Sequence, residues 1–297
     1  MLSVTTRYVL TLGCPDTTGI VAKISTFLAD EGGWIVEAAY HSDADTGWFF
    51  TRQAVRADSI AVSLDELRAR FAARVASELG PATEWQLSSS DQPKDIVVLV
   101  SREGHCLHDL VGRIRTGELN ARIAAVIGNH TDLEDFATRL DIPFQHVPFP
   151  AAGTDPDGAG RAAAFARVAE LTDVHSPAAV VLARFMQVLP PGLCTAWAGR
   201  AINIHHSFLP SFVGARPYHQ AFARGVKLIG ATCHYVTADL DAGPIIEQDV
   251  IRVDHSDAIA DMVRQGRDIE KLVLARGLRW HLEDRVLVHG RKTVVFS

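Results

Sequence analysis

The chain has 297 residues, enough for two domains, and its 47% hydrophobic and 22% charged residues are the balance of an ordinary globular protein. A formal net charge of −6 argues against non-specific binding to nucleic acid or anionic membrane, and no apolar run reaches the ~18 residues of a membrane span. The N-terminus MLSVTTRYVLTLGCPD lacks the apolar core of a secretory signal, and the four cysteines, Cys14, Cys106, Cys194 and Cys233, form no CxxC pair, so a cytoplasmic protein with reduced thiols and no membrane or nucleic-acid partner is expected.

The first predicted strand is RYVLTLGCPD, where Tyr8, Leu10 and Leu12 alternate with polar or small residues. Asp16 or Thr17 is placed to cap the helix GIVAKISTFLADEGG, which carries Ile20, Val21, Ile24, Phe27 and Leu28 at helical spacing and ends at Gly32–Gly33. WIVEAAYHSDADTGWFFTRQAVRA predicts two strands joined by a turn at Asp43–Gly47. A second helix opens at Ser63 in SLDELRARFAARVASELG, and ATEWQLSS closes the unit as a strand. The order βαββαβ is that of a ferredoxin-like module over residues 1–87, followed by a polar linker at residues 88–94, SSSDQPK.

From residue 95 to 297 the pattern changes. DIVVLVS, RIAAVIGN, AAVVLARF and RAINIHHS are short apolar runs of the kind buried on both faces, and PFQHVPF is a third, shorter strand after the first two. Helices are predicted from His108 to Thr116 and over GAGRAAAFARVAELTDV. Alternating strands and helices imply right-handed crossovers and a mostly parallel sheet, an α/β class. LIGATCHYVTADLDAGPIIEQDVIRV predicts an antiparallel hairpin around TADLDAGP. A long helix from Ser256 to Asp284 and a strand pair, RVLVHG and KTVVFS, end the chain.

In an open parallel sheet, ligands bind beyond the carboxyl ends of the strands. The run AINIHHSFLPSFVGARPYHQA gathers polar groups at that place. Strand alternation puts Asn203 and His205 on one face. An amide and an imidazolium side by side make a donor pair suited to an oxygen that gains charge during attack on a carbonyl. Asp241, in the turn LDAGP, is the third candidate: a carboxylate near a histidine either holds it protonated or takes a proton from the nucleophile. His205–His206 as a metal site finds no support, since HExxH is absent and no nearby HxH or cysteine completes it. His219 and His234 read as structural, with His219 close enough in sequence to line a cleft. In the small-residue loop around Gly214, Arg216 either clamps a carboxylate or pins the loop.

NIHHSFLPSFVGARPYHQA and GATCHYVTADLDAGPIIEQDV together resemble the catalytic core of formyltransferases that use 10-formyltetrahydrofolate. The paired N-x-H and D-x-G-P-I motifs are far more specific than either half. The resemblance implies a Rossmann-like catalytic domain in which Asn203 and His205 stabilise the formyl oxyanion and Asp241 moves a proton or positions water. LARFMQVLPP resembles one wall of the folate site, which implies roles for Arg184, Phe185, Met186, Val188 and Leu189, and the loop from Val236 to Asp241 resembles the other, with Val236, Ala238 and Leu240. EGHCLHDLVGRIRTGEL, GARPYHQ and MVRQGRDIEKLVLARGL resemble the formyltetrahydrofolate deformylases, and CPDTTGIVAKISTFLADEGGWI resembles an ACT domain. The likeness spans nearly the whole chain.

It implies hydrolysis of 10-formyltetrahydrofolate to tetrahydrofolate and formate, in folate one-carbon metabolism that supplies purine synthesis or balances the folate pool, with no prosthetic group and no metal. It also implies a homo-oligomer, dimer or tetramer, and an amino-acid effector, glycine or methionine, at Asp16, Thr17, Thr18 and Gly19. A physical argument favours hydrolysis over transfer to a phosphorylated acceptor. The loop after the first strand, SREGHCLHDL, has one glycine and bulky neighbours, a poor cradle for a phosphate. His105, Cys106 and His108 are either fillers of an acceptor channel or ordinary loop and core residues, and His206 joins Gly214, Arg216 and His105 as residues that shape the space for water. The rival readings are a formyltransferase to an amine and a non-catalytic folate- or amino-acid-binding regulatory protein.

Overall fold

A computed structural model of the chain describes residues 6–211 and 217–297. Contacts divide the chain into two units, Met1–Pro93 with Glu283–His289 and Thr293–Ser297, and Lys94–Leu282 with Gly290–Lys292.

In the first unit the order is β1 (Arg7–Pro15), α1 (Ile20–Asp30), β2 (Ile35–Asp43), β3 (Trp48–Arg56), α2 (Leu64–Phe71) and β4 (Glu84–Ser89). Between α2 and β4 the helix passes through a π turn at Ala72–Ala76 into a last turn, α3 (Ser77–Leu79). The four strands form one sheet in the order β2-β3-β1-β4. Leu10 and Leu12 of β1 bury against Ile24 and Phe27 of α1 and against Leu67 and Phe71 of α2. Ser63 caps α2 by accepting the Glu66 N–H at 3.2 Å, as its position before the apolar stripe predicts. The expected cap on α1 is different. Gly19 takes the N-cap without a side-chain bond, and the Asp16 carboxylate instead accepts the Ser42 hydroxyl of β2.

β3 is buried along nearly its whole length rather than on alternate residues. Its second face is covered by the C-terminal segment: Arg52 donates to the Glu283 and Asp284 carbonyls at 3.1–3.3 Å, and the His289 ring lies 4.4 Å from that of Trp48. The terminal strands β12 (Val286–His289) and β13 (Lys292–Val295) form as the sequence predicts. Assigning all of 95–297 to the second domain is nevertheless corrected, because Glu283–His289 and Thr293–Ser297 group with the first unit. The linker also shortens to residues 90–93, since β4 runs to Ser89 and β5 starts at Lys94.

The second unit contains β5 (Lys94–Val100), α4 (His105–Arg115), β6 (Ala121–Gly128), α5 (Glu134–Thr138), β7 (Phe144–His146), α6 (Ala159–Asp173), β8 (Ala179–Ala183), α7 (Pro191–Ala196), β9 (Ala201–His205), α8 (Pro217–Arg224), β10 (Leu228–Tyr235), β11 (Ile245–Arg252) and α9 (Ile259–Leu282). The sheet order is β11-β10-β9-β8-β5-β6-β7. β5 to β9 pair in parallel, while β10 runs antiparallel to β9 and to β11. The unit is thus an α/β fold with a mostly parallel central sheet. Ile96 to Val100 are fully buried, as a central strand with both faces covered requires. Leu99, Ile127, Val168 and Trp197 fill one core, and α9 packs on β9, β10 and β11. α4 starts a turn earlier than predicted, and α5, α7 and α8, each short for a helical stripe, are not among the predicted elements. β6 lies on one side of β5 and β8 on the other, so the chain reverses direction across the sheet between them. That switch point opens a crevice at the strand carboxyl ends. No helix among the described residues is long and apolar enough to cross a membrane.

Candidate active site

β9 ends at His205, and alternation brings Asn203 and His205 to one face. β10 runs back beside it with Asn203 opposite His234 and His205 opposite Thr232. This register builds two polar contacts. Asn203 Nδ2 lies 3.1 Å from His234 Nε2, and His234 Nδ1 lies 2.9 Å from the Tyr235 carbonyl oxygen. A carbonyl only accepts, so His234 carries its proton on Nδ1 and its Nε2 accepts from the Asn203 amide. Burial lowers the His234 pKa, which favours this neutral form. One amide N–H of Asn203 is thereby fixed and the other left for a ligand. Thr232 ties down the chain leaving β9: its hydroxyl donates to the Ser207 carbonyl at 2.8 Å and accepts the Leu209 N–H at 3.0 Å.

Asp241 is carried by the loop between β10 and β11. Gly243 lets that loop fold back, since a Cβ there would run into the Tyr235 carbonyl oxygen; this is a physical reason for the glycine in DAGP. Asp241 has φ +53° and Arg184, after β8, has φ +63°. Left-handed backbone is uncommon for residues other than glycine, and here it flanks a cavity. Asp241 Oδ1 lies 3.3 Å from His205 Nδ1 and 4.0 Å from His234 Nε2. Burial opposes ionisation of Asp241, but the hydrogen bond and charge of His205, with His234 and His206, outweigh it and hold the carboxyl below its ordinary range. His205 is buried, and its Nε2 has no hydrogen-bond partner.

These groups open on a cavity of about 440 Å³. All eight residues expected at the folate walls line it: Arg184, Phe185, Met186, Val188 and Leu189 on one strip, Val236, Ala238 and Leu240 on the other. Met186, Val188 and Leu240 are exposed apolar side chains. His206 also lines it, with a pKa pushed down to about 4 by burial, then by the Arg184 charge, against the pull of Glu270. A larger cavity of about 580 Å³ shares only His206 with the first among the described residues. Among the described residues its lining carries no carboxylate to pair with a histidine, so the chemistry belongs to the smaller one.

His105 does not line the cavity. It sits at the start of α4, 2.8 Å from Glu270 Oε2. His105, Cys106 and Glu270 are close enough to share a metal ion, yet the donor set is a poor one. Burial and the Glu270 charge keep the Cys106 thiol well above its ordinary pKa, and the Arg184 guanidinium lies 3.6 Å from the same carboxylate. Asp16, Thr17, Thr18 and Gly19 form an exposed loop in the first unit. Gly214 and Arg216 lie outside the described residues. From the sequence His234 reads as structural and Glu270 is not singled out; the place of His234 beside Asn203 comes only from strand register, and that of Glu270 only from the packing of α9.

A model of the formyl transferase family matches residues 94–278. The formyltetrahydrofolate deformylase of Bacillus subtilis (strain 168) is 46% identical over 97% of this chain and 93% of its own length. A solved formyltetrahydrofolate deformylase from Pseudomonas syringae pv. tomato is 55% identical, covers 100% of this chain and 96% of its own, and superposes with a TM-score of 0.94. Glycinamide ribonucleotide transformylase 1 from Symbiobacterium toebii is 29% identical over 71% of this chain and 98% of its own, with a TM-score of 0.64. With the family model covering most of the second unit and full-length relatives sharing its two-part extent, the chain belongs to the formyl transferase family and, within it, to the formyltetrahydrofolate deformylases.

Proposed function

We propose that the chain hydrolyses 10-formyltetrahydrofolate to tetrahydrofolate and formate in the 440 Å³ cavity. The observation that carries this reading is the convergence of Asn203, His205 and Asp241 on one cavity wall, with His205 Nε2 unpartnered. The pterin enters between the Arg184–Leu189 strip and the Val236–Leu240 loop, whose apolar side chains suit a flat ring. Water held by Asp241 attacks the formyl carbon. The free Asn203 N–H and His205 Nε2–H bind the oxygen as it gains charge. The water O–C bond forms, the C–N10 bond breaks, one water proton passes to N10 and the other is released as formate ionises. A carboxyl held below its usual pKa is a weak resting base, so Asp241 serves chiefly to orient the water, hold the His205 ring through Nδ1 at 3.3 Å and relay the proton.

The first unit we read as an ACT-type module that supports a homo-oligomer and takes glycine or methionine at the Asp16–Gly19 loop; its βαββαβ order is the support. Calorimetric titration with each amino acid tests that assignment. For the main reading, purified protein is mixed with 10-formyltetrahydrofolate and no amine. Equal amounts of formate and tetrahydrofolate are expected. Turnover that appears only when an amine is added, with no formate, would instead make the chain a transferase.

A further inference from the structure

One buried ionic cluster, Arg184 apart, takes no part in this scheme. Glu270 on α9 is 1% exposed yet carries a carboxylate. His105 Nε2 is 2.8 Å from its Oε2, the Tyr218 hydroxyl of α8 donates to Oε1 at 2.7 Å, and Arg184 Nε lies 3.6 Å away. Burial opposes the charge, but His105, Arg184 and Tyr218 more than offset it and keep the carboxyl below its ordinary pKa. Well-packed apolar side chains often serve stability as well as a buried ion cluster, so its presence calls for another role. α9 makes a second accommodation for Tyr218. Gly266, one turn before Glu270, is buried, and a Cβ there would run into the Tyr218 hydroxyl. A glycine inside a helix is less favourable than an alanine.

The position of the cluster suggests the role. Arg184 lines the catalytic cavity. His206 alone among the described residues lines both that cavity and its larger neighbour, and its ring meets the Tyr218 ring edge-on at 6.0 Å. The His206–Tyr218 pair therefore stands between the larger cavity and Asp241. Nothing in Asn203, His205 and Asp241 distinguishes water from an amine: an amine nitrogen could bond the formyl carbon, the C–N10 bond would break, and one proton would pass from amine to N10. Discrimination has to come from space.

We propose that Glu270 is a positioning residue that pins Tyr218 behind His206, and that Tyr218 thereby determines nucleophile specificity by admitting water to the formyl carbon and excluding amines. The inference rests on the hydrolytic reading. The test offers 10-formyltetrahydrofolate together with hydroxylamine or glycinamide and counts formate and N-formyl product. The unaltered chain yields formate almost alone. Tyr218→Ala raises the ratio of N-formyl product to formate by about tenfold or more, more for hydroxylamine than for the bulkier glycinamide, while Tyr218→Phe, which keeps the ring but loses the hydroxyl that Glu270 holds, raises it by a smaller factor, and an unaltered ratio in Tyr218→Phe removes Glu270 from the inference. Gly266→Ala deletes no group but displaces Tyr218, raises the ratio too, and decides the matter if Tyr218→Ala does not fold. A folded, hydrolysing Tyr218→Ala or Gly266→Ala with an unchanged ratio overturns the inference, as does an unaltered chain that formylates the amines readily. Absence of formate from the unaltered chain fails the hydrolytic reading instead and takes this inference with it.

Discussion

Each unit holds a carboxylate below its ordinary pKa, and the two are put to different use. In the first, Glu37 is opposed by burial but overcome by Arg52, 2.8 Å away, and by Arg285 at 2.9 Å. In the second, Asp241 faces His205 and His234. A guanidinium does not give up its proton in a protein, so Glu37 belongs to a fixed charge pair. An imidazole can gain or lose one, so the Asp241 pair can move a proton. Arg52 is closed in by carbonyls of the C-terminal segment, whereas His205 lines a cavity and its buried Nε2 has no partner. A depressed pKa therefore marks a site only when the partner is labile and a cavity is at hand.

The sharpest break between the two is Asp241→Asn. Loss of the water-orienting carboxylate should lower kcat by about 10²–10⁴-fold, with the thermal midpoint nearly unchanged. Formate release under single-turnover conditions reads it, and a kcat within about threefold of the unaltered chain would remove Asp241 from the mechanism.

Next in size is an acid effect on stability that belongs to His206. Folded His206 titrates near 4, against 6.5 for an ordinary histidine. Between those values the unfolded chain holds more protons, so this group's effect is to lower stability as pH falls from about 6.5 to about 4. Burial, then the Arg184 and His205 charges, push the value down, and Glu270 and Asp241 only partly oppose them. The loss amounts to about 2–3 kcal/mol between about pH 7 and pH 4.5. His206→Gln has nothing to titrate there. Urea unfolding at the two pH values should show the acid loss reduced by that amount, and an equal loss in both proteins would mean that His206 is not neutral in the fold.

Glu37→Gln supplies the converse of Asp241→Asn. It leaves Arg52, 4% exposed, with less compensation, and should cost about 2 kcal/mol of stability while kcat stays within about twofold. A large drop in kcat with an unchanged unfolding midpoint would erase the contrast between the clusters.

How much of this was legible follows the range of the forces. Apolar runs such as DIVVLVS and AAVVLARF announce buried strands because their pattern is local, and the alternation of Asn203 and His205 is local too. Asp241 stood out through the DAGP turn, whose glycine the loop needs for its close approach to Tyr235. The destination of the C-terminal strands was not legible. RVLVHG reads as strand, but its own pattern carries no information that Arg52, over two hundred residues earlier, would need its flanking carbonyls. Glu270 looked like one more polar residue on an amphipathic helix until α4 and α8 were packed on it.

His234 is the smallest test and the one closest to that boundary. In sequence it is one histidine in a strand; antiparallel register alone sets it opposite Asn203. Its Nε2 accepts from the Asn203 amide, so it acts on the reaction by aiming a donor. His234→Ala frees that amide and should lower kcat by about tenfold, the worth of one hydrogen bond of about 1.4 kcal/mol. KM should move little, because the oxyanion forms only in the transition state. His234→Gln keeps an acceptor near the same place and should recover part of kcat. If the alanine and glutamine variants lose kcat equally while both fold, the histidine is needed for its ring or its packing, and the Asn203–His234 pair resembles the structural Glu37 cluster more than it does its neighbour Asp241.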